Sequence, residues 1–260
     1  MLNLQVGVSK MYNNKRILTI VTARSGSKGL PNKNIKKLNG KPLLAFPIIA
    51  ASESQYVDKI ILSTDSREYA NIGKTYGATI PFLRPDFLAS DNASSIDVII
   101  HALDYLSANN DDYDYVLLLE PTSPLTDALN IDSAIEMLLE STDIASSLVG
   151  VSLMETQHPT FSVQRSDNGL INPIAGNSFK SLPRRQDLDP VFALDGSLYL
   201  SSVKAMYSEK SFCHSKTLGM IFDRYKSFEV DDLLDFICIE ALLKYHESEK
   251  KIKKNFQEEI

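Results

Sequence analysis

Residues 17–34 constrain this chain more than any other stretch. Ile17-Leu18-Thr19-Ile20-Val21-Thr22 is apolar and β-branched, the pattern of a strand buried on both faces. Ala23-Arg24-Ser25-Gly26-Ser27-Lys28-Gly29-Leu30-Pro31-Asn32-Lys33-Asn34 follows, a loop of small residues and cations, and a helix is expected to open near Pro42. A strand, a basic glycine-rich loop and a helix are the parts of a phosphate cradle. Glycine lets backbone amides come close to an anion, and Arg24, Lys28 and Lys33 neutralise charge, Arg as a fork and Lys as a point. The expected ligand is a nucleotide triphosphate; a surface turn that is merely basic is the plain alternative. The spacing is neither the Walker pattern nor G-x-G-x-x-G, which disfavours a P-loop ATPase and a dinucleotide fold.

The rest of the chain alternates. Strands are expected at 59–64, 78–82, 115–119 and 144–151, helices at 42–52, 66–76, 94–106 and 128–140. Pro47 sits awkwardly inside the first of these helices. Such alternation predicts an α/β fold, Rossmann-like, with a mostly parallel sheet covered by helices on both faces. Ligands of such sheets lie beyond the carboxyl ends of the strands, so the loops at Arg24, Asp65, Arg84 and Glu120 should face one cleft. The rhythm breaks after Ser152. Residues 154–195 read as a projecting arm, with Asn168-Gly169 marking a hairpin. Residues 17–153 and 196–260 form the α/β domain, with strands at 197–201 and 218–222, a last strand ending at Glu229-Val230-Asp231-Asp232, and a final helix. Residues 1–16 read as an N-terminal tail, with Met11 as an alternative start.

With 260 residues, 43% hydrophobic, the chain has material for a real core. Its formal charge of −6 argues against nucleic acid as a partner, so cations that bind an anion must be concentrated locally. No apolar run suits a membrane span, and no signal peptide is evident. Cys213 and Cys238 lack metal or redox spacing, which fits reduced thiols in a cytoplasmic protein. The four histidines suggest no base, and no Ser-His-Asp or Cys-His set is recognisable.

Glu229 and Asp231 stand two apart at the expected strand end, where i and i+2 point the same way. Two such carboxylates can hold Mg²⁺ or Mn²⁺ against phosphate oxygens. Read alone, they are an acidic helix start.

The run from Ala23 to Asn34 closely resembles the signature of the CMP-sialic acid synthetases, cytidylyltransferases that activate nine-carbon keto sugar acids. The resemblance covers about residues 17–236. It implies CTP as co-substrate, with Ala23, Ser27, Gly29 and Asn34 at the nucleotide and Arg84, Ser90 and Asp91 at its base and ribose. It implies that Arg24, Lys28 and Lys33 stabilise the phosphates, and that Glu229 and Asp231 are metal ligands where the family reads Asp-x-Asp. Glu120-Pro121-Thr122-Ser123-Pro124-Leu125 resembles the family's Gln-Pro-Thr-Ser-Pro-Leu beside the sugar acid, with Glu120 for Gln and Thr126 for a following Arg. Glu120, Thr122 and Ser123 are thereby assigned to the sugar. Arg184-Arg185-Gln186-Asp187 matches a family motif whose cations suit a sugar carboxylate. Asp195-Gly196-Ser197 matches Asn-Gly-Ala/Ser, with Asp195 for Asn, while Ala193 and Phe161 replace cations of some members. These departures fall on the sugar side. The family is typically a homodimer whose arm crosses to the partner, which would carry Arg184 and Arg185 to the other subunit's site. Alternatives are an enzyme for the eight-carbon acid, a guanylyltransferase for a sialic-like acid, or a non-catalytic nucleotide-binding module.

Overall fold

The computed structural model describes residues 12–27, 29–90, 92–154, 158–174, 179 and 182–258. The first strand is β1 (Ile17–Thr22). A tight hairpin follows, β2 (Lys37–Leu38) and β3 (Lys41–Pro42), turned by Asn39 and Gly40 at positive φ. Helix α1 (Ala45–Glu53) starts three residues after the expected Pro42, because the hairpin claims Pro42 as a strand residue. That start moves Pro47 into the first turn, where its missing N–H costs nothing.

Next come β4 (Lys59–Ser63) and α2 (Arg67–Thr75), the latter capped by the Ser66 side chain on the Tyr69 amide. The strand expected at 78–82 reduces to one bridge between Ile61 and Thr79, since Pro81 lacks the N–H a ladder needs. The short α3 (Asp86–Ala89) precedes α4 (Ser95–Ser107), β5 (Tyr115–Leu119), α5 (Ala128–Glu140) and β6 (Ser147–Leu153). Then come β7 (Val163–Arg165) and β8 (Ile171–Pro173), which form the hairpin around Gly169. The chain ends with β9 (Phe192–Ser202), α6 (Val203–Glu209), β10 (Thr217–Ile221) and α7 (Leu233–Glu258). Residues 228–230 hold no strand; a 3₁₀ turn, Arg224–Ser227, precedes them.

The six-stranded sheet runs β10-β6-β9-β5-β1-β4. β1 is parallel to β4 and β5, and β10 to β6, whereas β9 is antiparallel to both neighbours. β6 and β9 are joined by the long segment that carries β7 and β8. Along β1, Ile17 and Val21 enter the core shared with α1, α2 and α5, while Leu18 and Ile20 enter the core shared with α4 and α6. This is why the run reads as apolar throughout rather than alternating. A third core joins Leu30, Leu38, Leu43, Leu125 and Val230 to Phe236 and Ile239 of α7. It binds the beginning of the chain to its last helix directly beside the first loop.

The amino ends of the central strands are fastened by charge. Arg16 and Lys59 both donate to Asp111, at 2.9 and 2.6 Å, and Lys15 donates to Asp114 at 3.0 Å. Residues 15 and 16, within the tail assigned from sequence, are thus held against the domain.

Candidate active site

A cavity of about 470 Å³ opens at the carboxyl ends of β1 and β5. Its near wall is the first loop, with Arg24, Ser27, Gly29, Lys33 and Asn34. Two interactions shape that loop. The Ser25 amide and hydroxyl donate to Asp65 at 2.9 and 2.7 Å, and the buried Asn34 donates its side-chain amide to the Arg24 carbonyl at 3.0 Å. Asn34 thus acts on the loop's backbone from below while also lining the cavity. Ala23 is fully buried beneath the loop. Lys28 and Asp91 lie outside the described residues.

Arg84 and Ser90 line the opposite wall. Arg84 is buried, and its guanidinium donates to the Ser63 hydroxyl at 3.1 Å and carbonyl at 2.5 Å. Burial pushes its pKa down to about 10; the nearby Asp65 opposes this and Arg24 adds to it. Two guanidiniums lining one cavity favour an anion between them.

Glu120, Thr122 and Asp231 close the far side. Lys33 crosses to this side, its Nζ donating to the Val230 carbonyl at 2.7 Å and lying 3.6 Å from an Asp231 carboxylate oxygen. A Cβ on Gly29 would stand 3.0 Å from the Asp231 carbonyl oxygen, so the glycine loop and the acidic segment touch. Burial raises the Glu120 carboxyl; Lys33 opposes this and Asp231 reinforces it. Glu229 sits behind Asp231, accepting from the Ser123 hydroxyl at 3.3 Å. Gly196, at φ +66°, leaves room for it: a Cβ there would overlap the Glu229 carboxylate. Burial, with Glu120 and Asp231 adding, lifts Glu229 to about 7. The i, i+2 geometry expected of an extended strand does not apply, because this segment is a loop. Asp231 faces the cavity, and Glu229 turns inward to Gly196 and Ser123.

The sequence model of the family described as "Cytidylyltransferase" matches residues 18–168, more than half of the chain. The chain belongs to the cytidylyltransferase family. It is 33% identical over 233 residues to the CMP-N,N'-diacetyllegionaminic acid synthase of Legionella pneumophila, covering 89% of this chain and 98% of that protein. It is 31% identical to the pseudaminic acid cytidylyltransferase of Campylobacter jejuni, with 89% and 98% covered. It is 34% identical to the N-acylneuraminate cytidylyltransferase of Escherichia coli, where the match takes 85% of this chain but 50% of that protein. Among solved structures, a CMP:2-keto-3-deoxy-manno-octonic acid synthetase complexed with CTP is similar in fold at TM-score 0.65, with 13% identity, 89% of this chain and 99% of that chain covered.

Within this cytidylyltransferase, other sequence-assigned residues sit away from the cavity wall. Arg184 pairs with Asp187 at 2.9 Å in the segment between β6 and β9, and Arg185 lies over the Phe161 ring beside a second hollow of about 200 Å³; Arg185 and Gln186 belong to a 3₁₀ turn that Arg184 precedes. Asp195 is buried at a bulge in the β6–β9 ladder, where Val151 faces Leu194 and Val149 faces Tyr199. One of its carboxylate oxygens accepts from the Ser197 amide and hydroxyl, and the other has no partner. Ser123 donates to the Gly196 carbonyl at 2.9 Å, so the β5 loop and the bulge are tied together.

Among the described residues, no group of three or more His, Cys, Asp or Glu side chains is gathered to hold a metal by itself. The donor chemistry still fits a cation that arrives with a nucleotide. Mg²⁺ takes one or two carboxylates and completes its shell with phosphate oxygens and water. Glu229, crowded by Glu120 and Asp231, carries the repulsion that such a cation would relieve.

Sequence reasoning placed the Asp65 loop at the cleft but gave no sign that Asp65 itself anchors the first loop through Ser25. It missed Lys226 entirely, since a lone lysine in Arg224-Tyr225-Lys226-Ser227 looks solvated. That lysine is buried.

Proposed function

We propose that this chain transfers a cytidylyl group from CTP to the anomeric hydroxyl of a nine-carbon keto sugar acid. The hydroxyl oxygen bonds to the α-phosphorus, the bond from that phosphorus to the bridging oxygen breaks, and pyrophosphate leaves with its electron pair. The hydroxyl proton passes to solvent. The reading is carried by one observation: the glycine loop touches the Asp231 backbone, so cations and an acid converge on one cavity. The printed names of the relatives support the acceptor class.

The roles follow from the charge that develops. Arg24, Lys28 and Lys33 stabilise the leaving pyrophosphate, and closing the cavity around the triphosphate aligns attack. Lys33 leans on Val230 and Asp231, and an incoming phosphate competes for it. Ala23, Ser27, Gly29, Asn34, Arg84, Ser90 and Asp91 hold the nucleotide. Mg²⁺, bound through Asp231 and Glu229, would neutralise phosphate charge. Glu120, Thr122 and Ser123 face the sugar, with Glu120 beside a hydroxyl or amine, since a carboxylate there would repel it. Arg184, Arg185 and Gln186 reach the sugar in a partner's site if the enzyme is a homodimer, and Asp195 supports the same side. A CTP-consuming enzyme of this kind works in the cytoplasm.

Pyrophosphate release with CTP and with GTP, across a panel of nine-carbon acids and the eight-carbon acid, tests the proposal. Release with CTP and a nine-carbon acid is expected. Release only with GTP, only with the eight-carbon acid, or with no pair would overturn it.

A further inference from the structure

Lys226 is 8% exposed, in the 3₁₀ turn before the acidic segment. An ammonium at that depth requires partners. Its Nζ donates to Asp127 Oδ2 and Asn130 Oδ1, both at 2.6 Å. Those residues already cap α5 reciprocally: the Asp127 side chain accepts from the Asn130 amide, and the Asn130 side chain from the Asp127 amide. The helix gains nothing electrostatically from the lysine, because a cation at a helix N-terminus opposes the macrodipole. The lysine's benefit must lie elsewhere.

It lies in the seam that Lys226 begins. From there, Glu229 meets Ser123, the Val230 amide donates to the Thr122 carbonyl at 2.8 Å, and the Val230 carbonyl accepts from Lys33. The seam joins the loop of Glu120, Thr122 and Ser123 to the loop of Glu229 and Asp231. Residues 228–230 lack regular structure, so anchors set their position. Lys226 is the charged anchor at one end, and Lys33 ties the other.

We propose that Lys226 is a positioning residue, fixing the Glu229–Asp231 segment against the Glu120 loop and so setting the acidic side of the cavity without touching substrate. The inference rests on the catalytic reading of Asp231.

The test compares Lys226→Met, Lys226→Arg, Asp231→Asn and Lys59→Met, the last removing a comparable ion pair at the amino edge of the sheet. Steady-state kinetics, CTP affinity by calorimetry, melting temperature and amide exchange are measured for each. Lys226→Met is expected to lose at least tenfold in kcat, to keep its CTP Kd within about twofold, and to speed exchange locally at the Val230 amide. Lys226→Arg recovers part of the kcat, and Lys59→Met keeps it. The proposal is overturned if Lys226→Met turns over normally while Asp231→Asn does not, or if Lys59→Met loses as much kcat. Full turnover by Asp231→Asn instead overturns the catalytic reading, and the inference with it. Should Lys226→Met fail to fold, Asp127→Asn keeps the capping oxygen while removing the lysine's charged partner, and the same outcomes apply.

Discussion

The two ends of the sheet treat charge differently. At the amino edge, Asp111 receives Lys59 and Arg16, Asp114 receives Lys15 and the Arg16 amide, and the Arg16 guanidinium lies 4.3 Å from the centre of the Tyr113 ring. Burial alone would raise Asp111, but hydrogen bonds from Lys59, Arg16 and Tyr113 outweigh it and bring it down to about 2. At the carboxyl edge the balance is incomplete, although Lys33 lies by Asp231 and Lys226 holds Asp127. Arg84 is pushed down, Glu120 and Glu229 are pushed up, and a buried oxygen of Asp195 has no partner. Charges matched within the chain hold a fold together. Charges left unmatched at one rim mark where something else must supply the partner.

The sharpest way to break this contrast is Asp231→Asn. It should lower kcat by a hundredfold or more with little change in melting temperature, and near-normal turnover would remove the carboxyl edge from catalysis. Glu120→Gln comes next. It should shift preference among nine-carbon acids by about tenfold while CTP affinity holds; competition assays with paired acids would reveal an unchanged preference. Asp111→Ala should do the converse. It is expected to cost about 1–2 kcal/mol of stability, the range for a partly exposed charged hydrogen-bond network, and to leave kcat intact below melting. A large loss of kcat in the folded variant would blur the two edges. The smallest effect concerns Glu229 in ligand-free, chelator-treated protein. Its folded pKa lies above the ordinary value, so its stabilising share is present at low pH and is lost as pH rises from about 4.5 through about 7. Glu229→Gln should therefore gain melting temperature over wild type on going from pH 5 to pH 8. A flat difference would mean that the carboxylate is not crowded.

Much of the fold was legible because it rests on local pattern. β1, β4, β5 and α5 fall where apolar runs, Ser or Asp caps and helical spacing put them. The misreadings occurred where a proline or a tight turn could serve more than one element. Pro42 joined a hairpin instead of a helix, Pro81 reduced a strand to a bridge, and α6, unanticipated, forms after the long β9. In the site, the glycine loop announced itself because close approach demands small residues in sequence. The placement of Glu229 did not, because it depends on Gly196 and Ser123, both far along the chain, and on the hold that nearby Lys226 takes on distant Asp127. No periodicity encodes a contact of that kind.

The touching of Gly29 and Asp231 has a consequence for biosynthesis. Ribosomes deliver the phosphate loop early and its counterpart some two hundred residues later. Until that last segment emerges and docks, a nascent chain holds only one side of the cavity that the two loops enclose.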